Sequence, residues 1–158
     1  MIPEAPVLFS IAGISASMAG LAGLVAGLRR GADVRPMDLF RLREIVEFAF
    51  ANVLLALSTI PIALAIGNEA DGYRIVAAGA IAYLLVHIGV LYGRSRRNAL
   101  ATSRGWVIGA VAVNMAVLLL GIATVATGSL GAFEGLLLAL LARPMLAFLL
   151  VLASFETQ

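Results

Sequence analysis

Five stretches of this chain are each long enough and apolar enough to cross a bilayer, and that repeat constrains the fold more than any other feature. A hydrocarbon core of about 30 Å takes about 20 helical residues. The stretches fall at approximately 7–28, 46–66, 75–93, 106–127 and 132–154. Because lipid offers no hydrogen bonds, a spanning backbone must satisfy its own amides, and continuous apolar runs of this length do so as helices. The expected fold is therefore all-α: an integral membrane helical bundle of five transmembrane helices, forming one domain over residues 1–158, with a helical extension at 36–45 ahead of the second span. Composition agrees, since 62% of the residues are hydrophobic and only 13% charged, against about 25% charged in soluble domains. The mean hydropathy is +1.05.

The first stretch, VLFSIAGISASMAGLAGLVAGL, does not read as a secretory leader, because MIPEAP before it carries an acid and no base, while Arg29 and Arg30 follow it. In the second, Pro36 suits a first helical turn, and Pro61 removes a backbone donor that Ser58 and Thr59 stand close enough to help replace. Arg143 and Pro144 divide the last stretch into two apolar halves. A continuous helix carrying an internal proline and a re-entrant hairpin turning at this pair both fit such a pattern. The hairpin would make the fold four spans plus a C-terminal loop-back.

Arginine placement gives the orientation. Arg29, Arg30, Arg35, Arg41, Arg43, Arg94, Arg96, Arg97 and Arg104 belong to the first and third connections, whereas Arg74 alone belongs to the second and fourth. The positive-inside rule then places the N-terminus outside and the C-terminus in the cytoplasm of a cell's inner (plasma) membrane. Tyr73, Tyr92 and Trp106 fall at span boundaries, where interfacial aromatics are expected. The same arginines account for the pI of 9.7, so no nucleic acid is needed to explain it. Membrane lipids are the expected surroundings.

Catalysis finds little to work with. The chain has no cysteine and one histidine, and its carboxylates are scattered, so no nucleophile with a base, paired acid or metal cluster is visible. No enzyme activity, catalytic residue, cofactor or metal is expected.

What remains is a set of polar residues inside the spans, each needing a partner or a wet surface. Positions three, four and seven apart share a helix face. On that basis Ala49, Asn52, Ala56, Thr59 and Ala63 form one stripe of the second span, and Ala110, Asn114, Val117, Gly121 and Thr124 one stripe of the fourth. Gly79, Ala80, Tyr83 and His87 do the same in the third, and Ala132, Ala139, Arg143, Ala147 and Ser154 in the fifth. Polar residues on the smallest-residue faces predict a bundle interior. Counting about 1.5 Å per residue from the cytoplasmic ends puts Asn52 and His87 about 9 Å deep, Asn114 about 12 Å and Arg143 about 16 Å.

No acid falls at the depth of Arg143, because Glu134 lies on the opposite face and Glu44 and Glu47 stand at the boundary. Two readings of Arg143 are open. It is a buried cation donating to backbone carbonyls, that of Leu140 beneath Pro144 included, or it binds an anion, a lipid headgroup or a partner subunit's carboxylate. His87 beside Tyr83 reads either as a hydrogen-bonded interior histidine or as a proton relay. Asn52 and Asn114 read as interhelical hydrogen-bonding groups.

The first span carries no charge but many small residues. Ser15, Ala19, Gly23 and Gly27 make one row, and Ala12, Ala16 and Gly20 another beside it. Such rows let helix backbones approach closely, within one bundle or against a second subunit. The stretch RPMDLFRLREIVEFAF reads as an interfacial helix start, with Arg41 and Glu44, or Arg43 and Glu47, in pairing distance.

ISASMAGLAGLVAGLRR, followed by DLFRLREIVEFAFANVLLAL, resembles the opening of a group of small, uncharacterised bacterial multi-pass membrane proteins. The resemblance covers the first third of the chain and implies an integral membrane location, without assigning any residue a role. Two functions fit the whole pattern. The first is a non-catalytic membrane subunit or homo-oligomer assembled through helix packing. The second is a small oligomeric channel or transporter for ions or small anions, using a cluster of Arg143, His87, Asn52, Asn114 and Tyr83.

Overall fold

The computed structural model describes residues 5–28, 36–98 and 104–153. Five α-helices follow in order: α1 (Ala5–Leu28), α2 (Pro36–Ile66), α3 (Glu69–Asn98), α4 (Arg104–Thr127) and α5 (Leu130–Ala153). All five contain a segment long and apolar enough to cross a membrane. Arg29, Arg30, Asp33, Arg35 and Ser154 lie outside the described residues, as do the side chains of Arg94, Arg96, Arg97, Arg104, Tyr92 and Trp106.

The two described turns are short and glycine-capped. After α2, Gly67 adopts a φ of 72° and its amide donates to the Ala63 carbonyl at 2.9 Å; after α4, Gly128 adopts 65° and donates to the Thr124 carbonyl at 2.7 Å. Left-handed backbone at a helix end favours glycine, which has no Cβ to clash. Asn68 then starts α3, its side-chain oxygen accepting from the Ala70 amide at 3.0 Å. Turns of two residues make neighbouring helices antiparallel.

Helices α2, α3, α4 and α5 pack in a ring, each on the next and α5 back onto α2, while α1 lies outside it on α2 with a smaller contact to α5. Close approach is visible at Gly72, where an added Cβ would lie 2.8 Å from the Ala63 Cβ and 3.0 Å from its Cα. The core divides in two. A larger cluster holds Phe48, Leu84, Phe133, Leu136, Leu137 and Leu140. A smaller one, where α1, α2 and α5 meet, holds Ala22, Leu42, Ile45, Ala147 and Val151.

The outside is as apolar as the inside. Phe9, Leu24, Leu54, Leu64, Ile108 and Leu119 are each more than half exposed, while Ser15, Asn52, Thr59, Thr124, Arg143 and Glu44 are buried. Water would not tolerate such a surface on a monomer, but lipid would.

The polar stripes of α2 and α4 turn inward. Ala49, Asn52, Ala56, Thr59 and Ala63 are all buried, as are Ala110, Val117, Gly121 and Thr124, with Asn114 half-buried. In α3 the stripe shifts by one residue, since Ala80 and His87 are buried but Gly79 is exposed. In α5, Arg143 and Ala147 are buried and Ala132 and Ala139 half-buried.

Three expectations need correction. Helix α5 runs unbroken through Pro144, so Arg143 and Pro144 do not turn a hairpin; the neighbouring helices hold the chain on both sides of the proline. The expected helical extension at 36–45 is continuous with the rest of α2, and Asp38, Leu42, Glu44 and Ile45 in it are buried, Leu42 and Ile45 in the smaller core cluster with Ala22 of α1 and Ala147 and Val151 of α5. Tyr73 is not an interfacial aromatic but is buried and stacked on Phe133, ring centres 5.0 Å apart. Ser58 and Thr59 both donate to the Leu55 carbonyl, at 3.1 and 2.8 Å, and not to the Leu57 carbonyl that Pro61 leaves without its donor.

Candidate functional site

The expected polar residues separate into two groups. Asn52 belongs to the smaller group, its amide donating to Ser15 Oγ of α1 at 3.0 Å and to the Leu137 carbonyl of α5 at 3.3 Å. Ser15 in turn donates to the Ile11 carbonyl at 2.8 Å. Three helices are thus tied at one side chain, the interhelical role expected of an asparagine in lipid. Asn52 shares no bond with Arg143.

The larger group centres on Arg143, whose guanidinium donates to Glu44 Oε1 at 2.8 Å, to Asn114 Oδ1 at 2.7 Å and to the Ala110 carbonyl at 3.3 Å. Its Cζ also lies 5.3 Å from the centre of the Phe48 ring, within cation–π range. Arg143 therefore does have an acid at its depth, contrary to the sequence expectation, and the acid belongs to its own chain. The reason is the register of α2 against α5. Arg41 donates to the Leu150 carbonyl at 3.5 Å and Asn52 to the Leu137 carbonyl, an antiparallel pairing that places Glu44 within about one turn of Arg143. The side chains of Arg143 and Glu44 are only 4% and 3% exposed, so the pair is removed from solvent and each charge depends on the other.

His87 of α3 joins the cluster between two carboxylates. Its Nε2 lies 3.9 Å from Glu44 Oε1 and its Nδ1 lies 3.8 Å from Glu47 Oε2. Phe48 packs edge-on against the imidazole, centres 4.5 Å apart, and against Tyr83 at 5.7 Å. The Tyr83 hydroxyl donates to the Glu47 carbonyl at 3.3 Å, and Arg43 Nε pairs with Glu47 Oε1 at 2.6 Å. Of the pairings expected along α2, Arg43 with Glu47 forms, whereas Arg41 turns to Asp38 at 3.6 Å because Glu44 is held by Arg143.

Between α2 and α3, Glu47, Phe50, Ala51, Leu54, Leu55, Tyr83 and His87 line an open groove of about 390 Å³. Among the described residues no three side chains of histidine, cysteine, aspartate or glutamate converge as metal ligands would.

Glu44, Glu47 and Phe48 are the members that reading the sequence missed. Starting the second span at residue 46 removed the two turns in which a stripe through Asn52 and Phe48 arrives at Glu44. The register of α2 on α5 was the missing quantity.

Along α1 the small residues serve two sides. Ala12 and Ser15 are buried and Ala19 is half-buried, whereas Ala16, Gly20, Gly23 and Gly27 are exposed. A Cβ added at Gly20, Gly23 or Gly27 would meet nothing within 4 Å. The rows are used inside the bundle at one end only.

Comparison of the chain with known proteins found no matching family model, no matching curated protein and no matching solved structure, so the site is read from its own geometry.

Proposed function

We propose that this chain is a non-catalytic subunit of a membrane assembly, docking through the outer face of α1 onto a second copy or another membrane helix. The observation that carries this reading is the exposure of Ala16, Gly20, Gly23 and Gly27 on a helix whose opposite face already packs on α2. Small residues on a lipid-facing surface let a partner backbone come close, and van der Waals contact of that kind drives helix association in lipid. In this reading the chain sits in a plasma membrane with its N-terminus outside, as the arginine asymmetry argues. The test is the mass of the full chain purified in mild detergent. A dimer or co-purifying partner that is lost in Gly20→Leu and Gly23→Leu is expected, and a monomer without companions would sink the proposal.

A second reading is favoured by a different observation. The buried Arg143, Glu44 and His87 lie in the spans of three helices, and ionisable groups at such depth commonly mark transport pathways. A small channel or transporter for ions or anions would use them. Flux through proteoliposomes, compared between the natural chain and Arg143→Ala, separates this reading from the first: unchanged or absent permeation counts against it.

A further inference from the structure

The groove between α2 and α3 carries at one end a histidine that hydrogen-bonds to no described residue. His87 is 6% exposed, and its Nδ1 and Nε2 stand 3.8 Å from Glu47 Oε2 and 3.9 Å from Glu44 Oε1, too far for direct hydrogen bonds. Nε2 faces the Glu44–Arg143 pair and is buried without a partner. Nδ1 faces Glu47, which lines the groove together with His87, whereas Glu44 does not reach it. A buried ring nitrogen that forms no hydrogen bond forfeits stabilisation that a polar atom in the groove supplies.

The rest of the wall is apolar. Phe50, Ala51, Leu54 and Leu55 form it, and Phe50 and Leu54 are 59% and 68% exposed, so the groove opens toward lipid. From Glu47 to Leu55 the axis of α2 rises about 12 Å. The polar end lies toward the arginine-bearing ends of both helices, with Arg41 and Arg43 on α2 and Arg94, Arg96 and Arg97 on α3, and the apolar wall lies deeper. A lipid has the same profile, its head near the interface and its chain inward. The volume of about 390 Å³ is that of a small-molecule site lined by apolar side chains with a few placed polar groups.

Charge and bonding capacity select the headgroup. Glu44 is paired with Arg143 at 2.8 Å and Glu47 with Arg43 at 2.6 Å, so each carboxylate already has its counterion. A cationic head finds no uncompensated charge there, and an anionic head meets two carboxylates. Between Nδ1 and Glu47 Oε2, a hydroxyl oxygen about 2.8 Å from both is geometrically allowed. It accepts from an Nδ1–H while donating to the carboxylate, or donates to a bare Nδ1, and so serves either tautomer. An ether or ester oxygen can only accept. We propose that the α2/α3 groove binds an uncharged lipid alcohol, its hydroxyl on His87 Nδ1 and Glu47 and its chain along Phe50, Ala51 and Leu54. The site stands whether the chain acts as a docking subunit or as a transporter.

The test uses the full chain in phosphatidylcholine vesicles with a hexadecanol that carries a photoactivatable diazirine midway along its chain. After irradiation, peptide mass spectrometry maps the adducts. The expected result is labelling concentrated at residues 50–55 of α2 and on the facing side of α3. Unlabelled hexadecanol should displace it about tenfold better than hexadecyl methyl ether, which keeps the chain and an acceptor but lacks the donor. His87→Leu is expected to abolish that preference, and Ala51→Phe, which fills the groove, to abolish the labelling. If either variant does not fold, the competition between alcohol and ether on the natural chain still decides. Labelling spread evenly over all five helices, or equal displacement by alcohol and ether, overturns the proposal.

Discussion

Arg143 on α5 and Glu44 on α2 lie 99 residues apart in the chain and meet at 2.8 Å inside the bundle. Removing one partner of such a pair strands the other charge out of water, at a cost of about 3–5 kcal/mol, whereas replacing both by apolar groups of similar volume is often neutral. Glu44→Gln and Arg143→Met are each expected to destabilise the chain by that amount. Combined in one chain, they should cost clearly less than their sum. Thermal unfolding in a fixed detergent measures the cycle; single variants within about 1 kcal/mol of the natural chain would show that the pair does not carry this weight.

Asn52 ties α1 and α5 to α2 through two hydrogen bonds. Asn52→Leu should cost about 0.6–2 kcal/mol, the range for interhelical hydrogen bonds in lipid, and should loosen α1 before the four-helix ring. Limited proteolysis of the 29–35 connection, compared with global unfolding, reads the difference. Equal change in both would mean that α1 does not move independently.

Two glycine substitutions form a matched contrast. At Gly72 a new methyl would press on the Ala63 backbone at 3.0 Å, while at Gly20 it meets nothing within 4 Å. Overpacking against backbone costs about 1–3 kcal/mol. Gly72→Ala is therefore expected to lower the unfolding temperature, and Gly20→Ala to leave it unchanged or raise it slightly through better helix propensity. The reverse order would contradict the packing of α2 on α3.

Sidedness is open to direct chemical test because the chain has no cysteine. Single cysteines at Asn68 and at Ser129, both in the short turns, should react with an impermeant maleimide from the same side of the membrane. A cysteine placed in the 29–35 connection should react from the other. Labelling of all three from one side would be incompatible with the antiparallel helices.

The parts of this molecule that were legible in its sequence are those with a repeat. The stripe from Ala49 to Ala63 reads correctly because small and polar residues recur at helical spacing in a segment that is otherwise large and apolar, and α4 reads correctly for the same reason. Glu44 was hidden by its charge, since a hydropathy window ends where ionised residues begin, although α2 continues inward past that point. Phe48 carries no signal at all: an aromatic residue in an apolar helix looks the same facing lipid or facing Arg143. In α1 the difficulty is the opposite, because small residues fill every face, and only the position of α2 and α5 decides which row is covered.

The ordering of the cluster along the chain has a biosynthetic consequence. At about 5–20 residues per second, a ribosome reaches the codon for Arg143 about 5–20 s after that for Glu44, so α2 and α3 are synthesised while the acid still has no base. During that interval Glu44 must sit in the aqueous path of insertion, take up a proton or be shielded by the insertion machinery. Only delivery of α5 completes the neutralisation. A chain that stops before α5 therefore lacks the guanidinium that Glu44 pairs with in the finished bundle.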